Sequence, residues 1–405
     1  MGRGGFCYNS RMKTQVVLVF QRGFCPIRRQ ILDGLSDYAR KAGWRLQVVA
    51  KDAPEARPGY ESQATPEEIR DLVSYWKPDA CIVDCSGRDL PDQTAFGRVP
   101  TVFLDTTAES PAKADAISTD AEAIVRVAAR ELLSIGFGDY AYFPWMDEKT
   151  WSVRRGEAFA RVVRANGRTI HLFDGTLDGG DVVGCSRTIA DWLARLPKPC
   201  GVFAVNDYMA SLAVSACTRL GLSVPSDVAV IGVDNNENIC ENAAVTLSSI
   251  GIDLIGLGVA AARLLDERLS SPRKRPSQIS YEGCRLVRRA STRVLKKRDA
   301  RVAQLLEYIR RHACEGVRAS AVARQMGCSR RYADRRFREI TGTSILDEIQ
   351  NVRIERVKEF LRKRTLSLSV LPDFCGYRSL EDLRRVFRSR VGLSLTAYRR
   401  AVCGS

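Results

Sequence analysis

Short runs of consecutive apolar residues alternate with amphipathic stretches through the first three quarters of the chain. Gln15 to Phe20 (QVVLVF) is apolar almost throughout, the pattern of a strand covered on both faces. After Arg22-Gly23 the spacing predicts an amphipathic helix from Ile27 to Ala42, ended by Gly43. Leu46 to Ala50 predicts the next strand. Pro66 and two glutamates open a helix that stops before Pro78, with proline and acids where a first turn tolerates and favours them. Asp79 to Asp84 (DACIVD) and Pro100 to Asp105 (PTVFLD) are two more strands, each ending in a carboxylate. A long helix follows Ile117 to Asp120 and runs to Gly136. The rhythm then restarts, with strands at Tyr140–Phe143, Val202–Val205 and Val228–Val233 and helices at Arg155–Ala165 and Met209–Leu220. Such alternation predicts doubly wound parallel sheets, and the restart predicts two similar lobes. Ligands of such sheets bind beyond the carboxyl ends of the strands, where Asp84 and Asp105 each read as a ligand contact or as a turn acid.

The period changes in the last hundred residues. Val302 to His312 is an amphipathic helix with Leu305, Leu306 and Ile309 on one side. One pattern then occurs twice at an offset of fifty: Phe337-Arg338, Gly342 and Ser344 recur as Phe387-Arg388, Gly392 and Ser394. Each copy is preceded by a short apolar helix, a glycine (Gly327, Gly376) and an arginine-rich helix, the order of a helix-turn-helix. Ser320, Ser329, Ser369 and Ser379 are the expected caps or lead-ins, and Phe337 and Phe387 are expected in the core. A helix from Ser344 to Arg362 joins the two copies. Before them, SSPRKRPSQ leads into one expected strand, Ile279 to Val287, that returns to the body, and Lys296-Lys297-Arg298 marks a boundary. The domain reading is thus a flexible leader at 1–13, a two-lobed α/β domain at 14–295 and an all-helical tail at 296–405. Its helix-turn-helix motifs span about 320–339 and 369–390.

Charge separates the same two parts. The tail from Lys296 carries 26 Lys and Arg against 12 Asp and Glu, a net of +14, out of 63 against 47 for the chain; the remainder is 37 against 35, or +2. A basic tail on a near-neutral body suits a polyanion that the tail touches and the body does not. No run approaches the roughly 18–20 apolar residues of a membrane helix, and Val16 to Phe20 is too short for a signal-peptide core, so a cytoplasmic protein is expected, with no membrane partner. Thirteen cysteines scattered among apolar neighbours fit reduced, buried thiols, and with two histidines no metal and no cofactor is expected.

Two families are then recognisable. Gly201 to Ala210 (GVFAVNDYMA), Gly221 to Asn235 (GLSVPSDVAVIGVDN) and Leu247 to Ile250 resemble the effector domain of the lactose and ribose repressor family, a two-lobed sugar-binding fold. The resemblance implies that Arg155 (in Arg155-Gly-Glu-Ala-Phe159), Asn206 and Asp234 hold sugar hydroxyls, with Asp120 as a further acidic position at the first lobe's edge; Asp84 stays a candidate by its place at a strand end. Polyols suit such a set: a carboxylate accepts from vicinal hydroxyls and a guanidinium donates to them. That family begins with its own helix-turn-helix, which has no counterpart before Gln15 here.

The tail resembles the DNA-binding domain of the arabinose-activator (AraC) family, on Gly376 to Phe387 (GYRSLEDLRRVF) and Val391 to Arg399 (VGLSLTAYR); Pro372 stands where that family usually has alanine. The resemblance implies base-reading by Arg331, Asp334 and Arg335 of the first helix and Glu381, Arg384 and Arg385 of the second. Arg330 and Arg388, with Arg336 and Arg338, are implied to hold phosphates or partner acids. Gly327 to Phe337 spans ten steps and Gly376 to Phe387 eleven, so the two helices are expected to read different base triplets. The whole reads as a carbohydrate-responsive, non-enzymatic regulator of transcription, expected as a homodimer on paired half-sites with RNA polymerase as a further partner. Activation is favoured by the tail; repression, or a sugar-binding protein without a regulatory role, remains the alternative.

Overall fold

Two six-stranded sheets organise the first of two compact units, Met1–Arg293 and Val294–Ser405. The computed structural model describes residues 15–21, 29–50, 65–85, 91–105, 114–146, 150–178, 180–293, 300–363 and 366–403. The expected leader, the Arg22-Gly23 turn, the helix start at Ile27 and the Lys296–Arg298 run lie outside them.

The first sheet runs, in spatial order, β11 (Gln278–Tyr281), β5 (Asp115–Thr119), β4 (Thr101–Leu104), β3 (Ala80–Asp84), β1 (Val16–Gln21) and β2 (Arg45–Ala50), all parallel. Every residue of β3 is buried, as its unbroken apolar run requires. Helices α1 (Arg29–Ala42), α2 (Pro66–Trp76) and α8 (Leu254–Ser270) flank this sheet. Thr65 and Glu68 form the capping box of α2, with Pro66 in the first turn. α1 and α8 approach closely: a Cβ on Gly34 would stand 2.1 Å from the Ile255 carbonyl oxygen, and one on Gly258 2.2 Å from that of Ile31.

The second sheet runs β12 (Cys284–Val287), β10 (Ser248–Ile252), β9 (Val228–Val233), β8 (Cys200–Ala204), β6 (Asp139–Phe143) and β7 (Thr169–Leu172). All its pairs are parallel except β10 with β12. Its helices are α3 (Ala121–Ile135), α4 (Thr150–Ala165), α5 (Val182–Arg195), α6 (Asp207–Arg219) and α7 (Glu237–Asn242). Tyr140, Phe143, Phe159 and Phe203 fill this lobe without solvent exposure.

The strand expected over Ile279–Val287 is in fact two. β11 belongs to the first sheet and β12 to the second, and Glu282-Gly283 carries the chain between lobes. Two other crossings, at Asp120 between β5 and α3 and at Asp253 between β10 and α8, run beside it. The Asp120 N–H donates to the Tyr281 carbonyl (3.0 Å) and the Asp253 N–H to that of Gly283 (2.8 Å). Three chain segments therefore form one joint, the geometry of a hinge.

The second unit is helical: α9 (Ala300–His312), α10 (Ala319–Arg324), α11 (Arg330–Thr341), α12 (Ile345–Lys363), α13 (Leu371–Cys375), α14 (Leu380–Val391) and α15 (Leu395–Cys403). Two cores flank α12, one around Phe337, Ile309, Val322 and Ile349 and one around Phe387, Leu371, Val357 and Leu383. Ser329 and Ser379 cap α11 and α14 through the N–H groups of Tyr332 (3.3 Å) and Asp382 (3.2 Å). The short helices differ from expectation: α10 starts after Arg318 and α13 after Val370, neither with a side-chain cap. Ser320 lies inside α10, and the Ser369 hydroxyl meets that of Ser367 instead. Pro372 is buried and costs α13 nothing, because a first-turn N–H has no helical partner to lose.

Candidate effector site and nucleic-acid interface

The carboxyl ends of β6, β8 and β9 gather the polar groups of the second lobe. Arg155 on α4 is buried, donates from Nη1 to the Val205 carbonyl (2.8 Å), and lays its guanidinium 5.2 Å from the centre of the Trp151 ring. Among the described residues no carboxylate pairs with this buried arginine, which leaves donors available to a ligand. Val205 ends the strand run, and Asn206 follows as the cap of α6, accepting the Met209 N–H on Oδ1 (3.0 Å); its Nδ2 amide is the donor it can offer. Asp234 stands at the end of β9 with φ +100°, followed by Asn235 at +50°. Two consecutive left-handed residues without glycine are costly, and such strain persists where the surroundings over-determine it, commonly at binding sites. Here the Asp234 N–H donates to Ile250 (2.9 Å) and the Asn235 N–H to the Ser249 hydroxyl (2.9 Å).

Arg155, Asn206 and Asp234 are thus brought to one edge of one sheet. Asp84 is buried at the end of β3 in the other sheet, and Asp105, at φ +53°, turns back to accept from the Thr119 N–H and hydroxyl. Asp120, like Asn206, is also a helix cap. Its oxygens accept the Ala123 N–H (2.8 Å), capping α3, and the Ser280 hydroxyl (2.9 Å), so it ties two of the three crossings together. Asp253 does likewise, capping α8 through Gly256 (2.9 Å) and accepting the Tyr281 hydroxyl (3.1 Å).

Three aromatics escaped the sequence reading. Trp145 follows β6, with its ring 6.2 Å from Trp151 and 6.2 Å from the exposed Tyr208. The Trp145 N–H is held by the Ser152 hydroxyl (3.0 Å). Together they form an apolar, polarisable wall beside Arg155 and Asn206. The signal was present: Trp151 precedes Arg155 by one helical turn, and Tyr208 stands two residues after Asn206.

Several of the described cysteines are inert core thiols. Cys81, Cys200 and Cys217 are buried, with their thiols pushed up to about 12 chiefly by that burial, which suppresses the nucleophilic thiolate. Among the described residues no cluster of three or more His, Cys, Asp and Glu could hold a metal, and no helix is long and apolar enough to cross a membrane.

In the tail, α11 exposes Arg330, Arg331, Arg335 and Arg338, and α14 exposes Glu381, Arg384, Arg385 and Arg388. Arg335 lies 5.4 Å from the Tyr332 ring and Arg385 pairs with Asp382 at 2.6 Å. Both pairs are solvent-facing, so the side chains are held loosely and can be redirected to a ligand. Asp334 also has a structural part: its Oδ1 accepts the Ile345 N–H (3.0 Å), capping α12, and its Oδ2 faces Arg338 at 3.6 Å, so it fixes the α11–α12 corner.

Comparison with known proteins matches the geometry part by part. Residues 117–292 match the periplasmic binding protein-like domain and residues 322–401 a helix-turn-helix domain. The chain is 28% identical to the xylose operon regulatory protein of Escherichia coli (strain K12) over 377 residues, 92% of this chain and 93% of that protein. It is 27% identical to the protein of the same name from Haemophilus influenzae over 70% of this chain. The solved structure of the xylose-binding transcription activator xylR matches at TM-score 0.56 and 26% identity, over 96% of this chain and 98% of that one. A lac repressor dimer bound to operator shares the fold of the first unit, at TM-score 0.55 and 19% identity over 70% of this chain. The chain thus joins a periplasmic-binding-protein-like domain to an AraC-type helix-turn-helix domain, is similar over nearly its whole length to the xylose operon regulatory protein, and is a sugar-responsive regulator of transcription.

Proposed function

We propose that this chain is a cytoplasmic regulator that binds a monosaccharide between its two lobes and carries the result to promoter DNA, acting by binding alone. The observation that carries the reading is the joint presence of Arg155, Asn206 and the strained Asp234 turn at one sheet edge, in a chain whose tail exposes arginines on two helix-turn-helix units. Asp234 accepts ligand hydroxyls, Arg155 and Asn206 donate to them, and the Trp145–Trp151–Tyr208 wall takes the apolar face of the ring. D-xylose is the first candidate, given what the related regulators are named for.

Ligand closes the lobes about the three crossings, and closure changes how two tails of a homodimer meet paired half-sites. It can do so only by binding the closed arrangement more tightly than the open one. Arg331 and Arg335 of α11 and Glu381, Arg384 and Arg385 of α14 read base edges, while Arg330 and Arg388 hold phosphates. Activation through contact with RNA polymerase is the direction that the activator among the related structures favours. Titration calorimetry with D-xylose, D-ribose, D-glucose and D-glucuronate tests the reading. One of them should bind the wild-type chain and bind Asp234→Ala at least a hundredfold more weakly; equal affinity for both proteins would remove Asp234 from the site.

A further inference from the structure

Asp207 was outside every expectation, yet it is the most enclosed carboxylate near the proposed effector site. It is 1% exposed, at the first position of α6, directly after Asn206. Its Oδ2 accepts the N–H of Asn236 at 2.7 Å, reaching across to the turn that carries Asp234 and Asn235. Its Oδ1 has no hydrogen-bond partner among the described residues. Gly232 of β9 makes the room: a Cβ there would stand 2.3 Å from Oδ1 and 3.0 Å from the Asp207 Cα.

We infer that Asp207 is a positioning residue of the effector site, whose carboxylate joins the α6 N-terminus to the Asp234–Asn236 turn and so sets the separation of Asn206 from Asp234. This rests on the sugar-binding reading above. The bond to Asn236 lies one residue from Asn206 on one side and two from Asp234 on the other. It is the described side-chain link from α6 to a turn whose two left-handed residues need an external hold. A buried carboxylate without a cationic partner is an expensive way to hold a turn by packing alone.

Burial, and next the charge of Asp234, push the Asp207 carboxyl up to about 7, against the smaller opposing pull of the Ser249 hydroxyl, the Asn236 N–H and the Cys240 thiol. The groups facing it are therefore Asp234 from the β9 end, Asn236 and Cys240 from α7 and its cap, and Ser249 from β10, with Arg289 and Asp234 acting on Cys240 in turn. Ligand hydroxyls donated to Asp234 offset its negative field, which favours ionised Asp207. Binding should then release part of a proton and strengthen as pH rises.

The test uses the full chain and the near-isosteric Asp207→Asn, titrated with D-xylose and the three other sugars by calorimetry between pH 6 and 8. Thermal unfolding without sugar is followed in parallel. The wild type should bind several-fold more tightly at pH 8 than at pH 6, and Asp207→Asn should bind more weakly with a flat profile. The same pH dependence in both proteins would overturn the proposal. Should no sugar bind the wild type, the sugar reading fails and the unfolding curves decide the rest. A carboxyl raised from the usual range to about 7 weakens the folded state as pH climbs between those values. The Tm of the wild type should therefore fall relative to that of Asp207→Asn from pH 6 to 8, and parallel Tm profiles would show that Asp207 plays no ionisable role in the turn.

Discussion

The two helix-turn-helix units are written in nearly the same local code, yet they are built into the tail differently. Each has a serine cap on its long helix, a buried phenylalanine and a left-handed glycine before that cap. A Cβ on Gly327 would meet nothing within 4 Å, whereas one on Gly376 would stand 2.7 Å from the Ala313 carbonyl oxygen and 2.8 Å from that of Cys314. At its glycine the second turn is therefore pressed on the segment after α9, whereas the first has open space there. Arg353 of α12 completes the docking. Buried, it donates to the carbonyls of Ala313 (2.8 Å) and Val317 (3.0 Å) and lies 5.6 Å from the ring of Tyr377, whose hydroxyl donates to Gln350 (3.0 Å). Glycine thus plays two parts at equivalent positions, conformational freedom in one copy and close approach in the other.

That difference can be broken by mutation. Gly376→Ala should be the most damaging change, because the clash is with backbone and adds to left-handed strain; a loss of about 3 kcal/mol or more is expected from the two together. The same change at Gly327 should cost about 1 kcal/mol, the strain alone. Urea unfolding of both variants reads the ratio, and equal losses would mean that the docking is not energetic. Arg353→Met leaves one buried and one part-buried carbonyl without this donor and should cost about 2–4 kcal/mol, with a matching loss of affinity for DNA spanning both helices. The smallest contrast is in the caps. Ser379→Ala and Ser329→Ala should each cost about 1 kcal/mol, while Ser369→Ala and Ser320→Ala, which cap nothing, should stay within about 0.5 kcal/mol.

The repeat itself was legible because serine caps, glycine turns and buried phenylalanines act within a few residues of one another. Which serines cap was not, since Ser320 and Ser369 have the same local surroundings as a true cap and differ only in where the chain begins to coil. In the body, β1, β3, β8 and β9 were legible as unbroken apolar runs. β7, an edge strand that is exposed or half-buried throughout, carries no such run, and the split of Ile279–Val287 depends on two sheets competing for one stretch. α8 carries Gly256 and Gly258, and Gly258 marks close contact with α1 rather than a helix end. Of the candidate site, Arg155, Asn206 and Asp234 could be read from contiguous motifs. The buried state of Asp207, the aromatic wall and the engagement of Asp120 and Asp334 in capping arise only from packing.

Sugar bound at Asp234 is proposed to change how the tail holds DNA. The direct measurement is DNA affinity, by fluorescence anisotropy on a duplex selected from a random pool with this chain, with and without D-xylose or whichever tested sugar binds. Wild type should change its affinity for paired half-sites by tenfold or more on adding sugar. Asp234→Ala should bind the same duplex as the sugar-free wild type does and ignore the sugar. A wild type indifferent to a sugar it binds, or an Asp234→Ala chain that responds as the wild type does, would contradict the account.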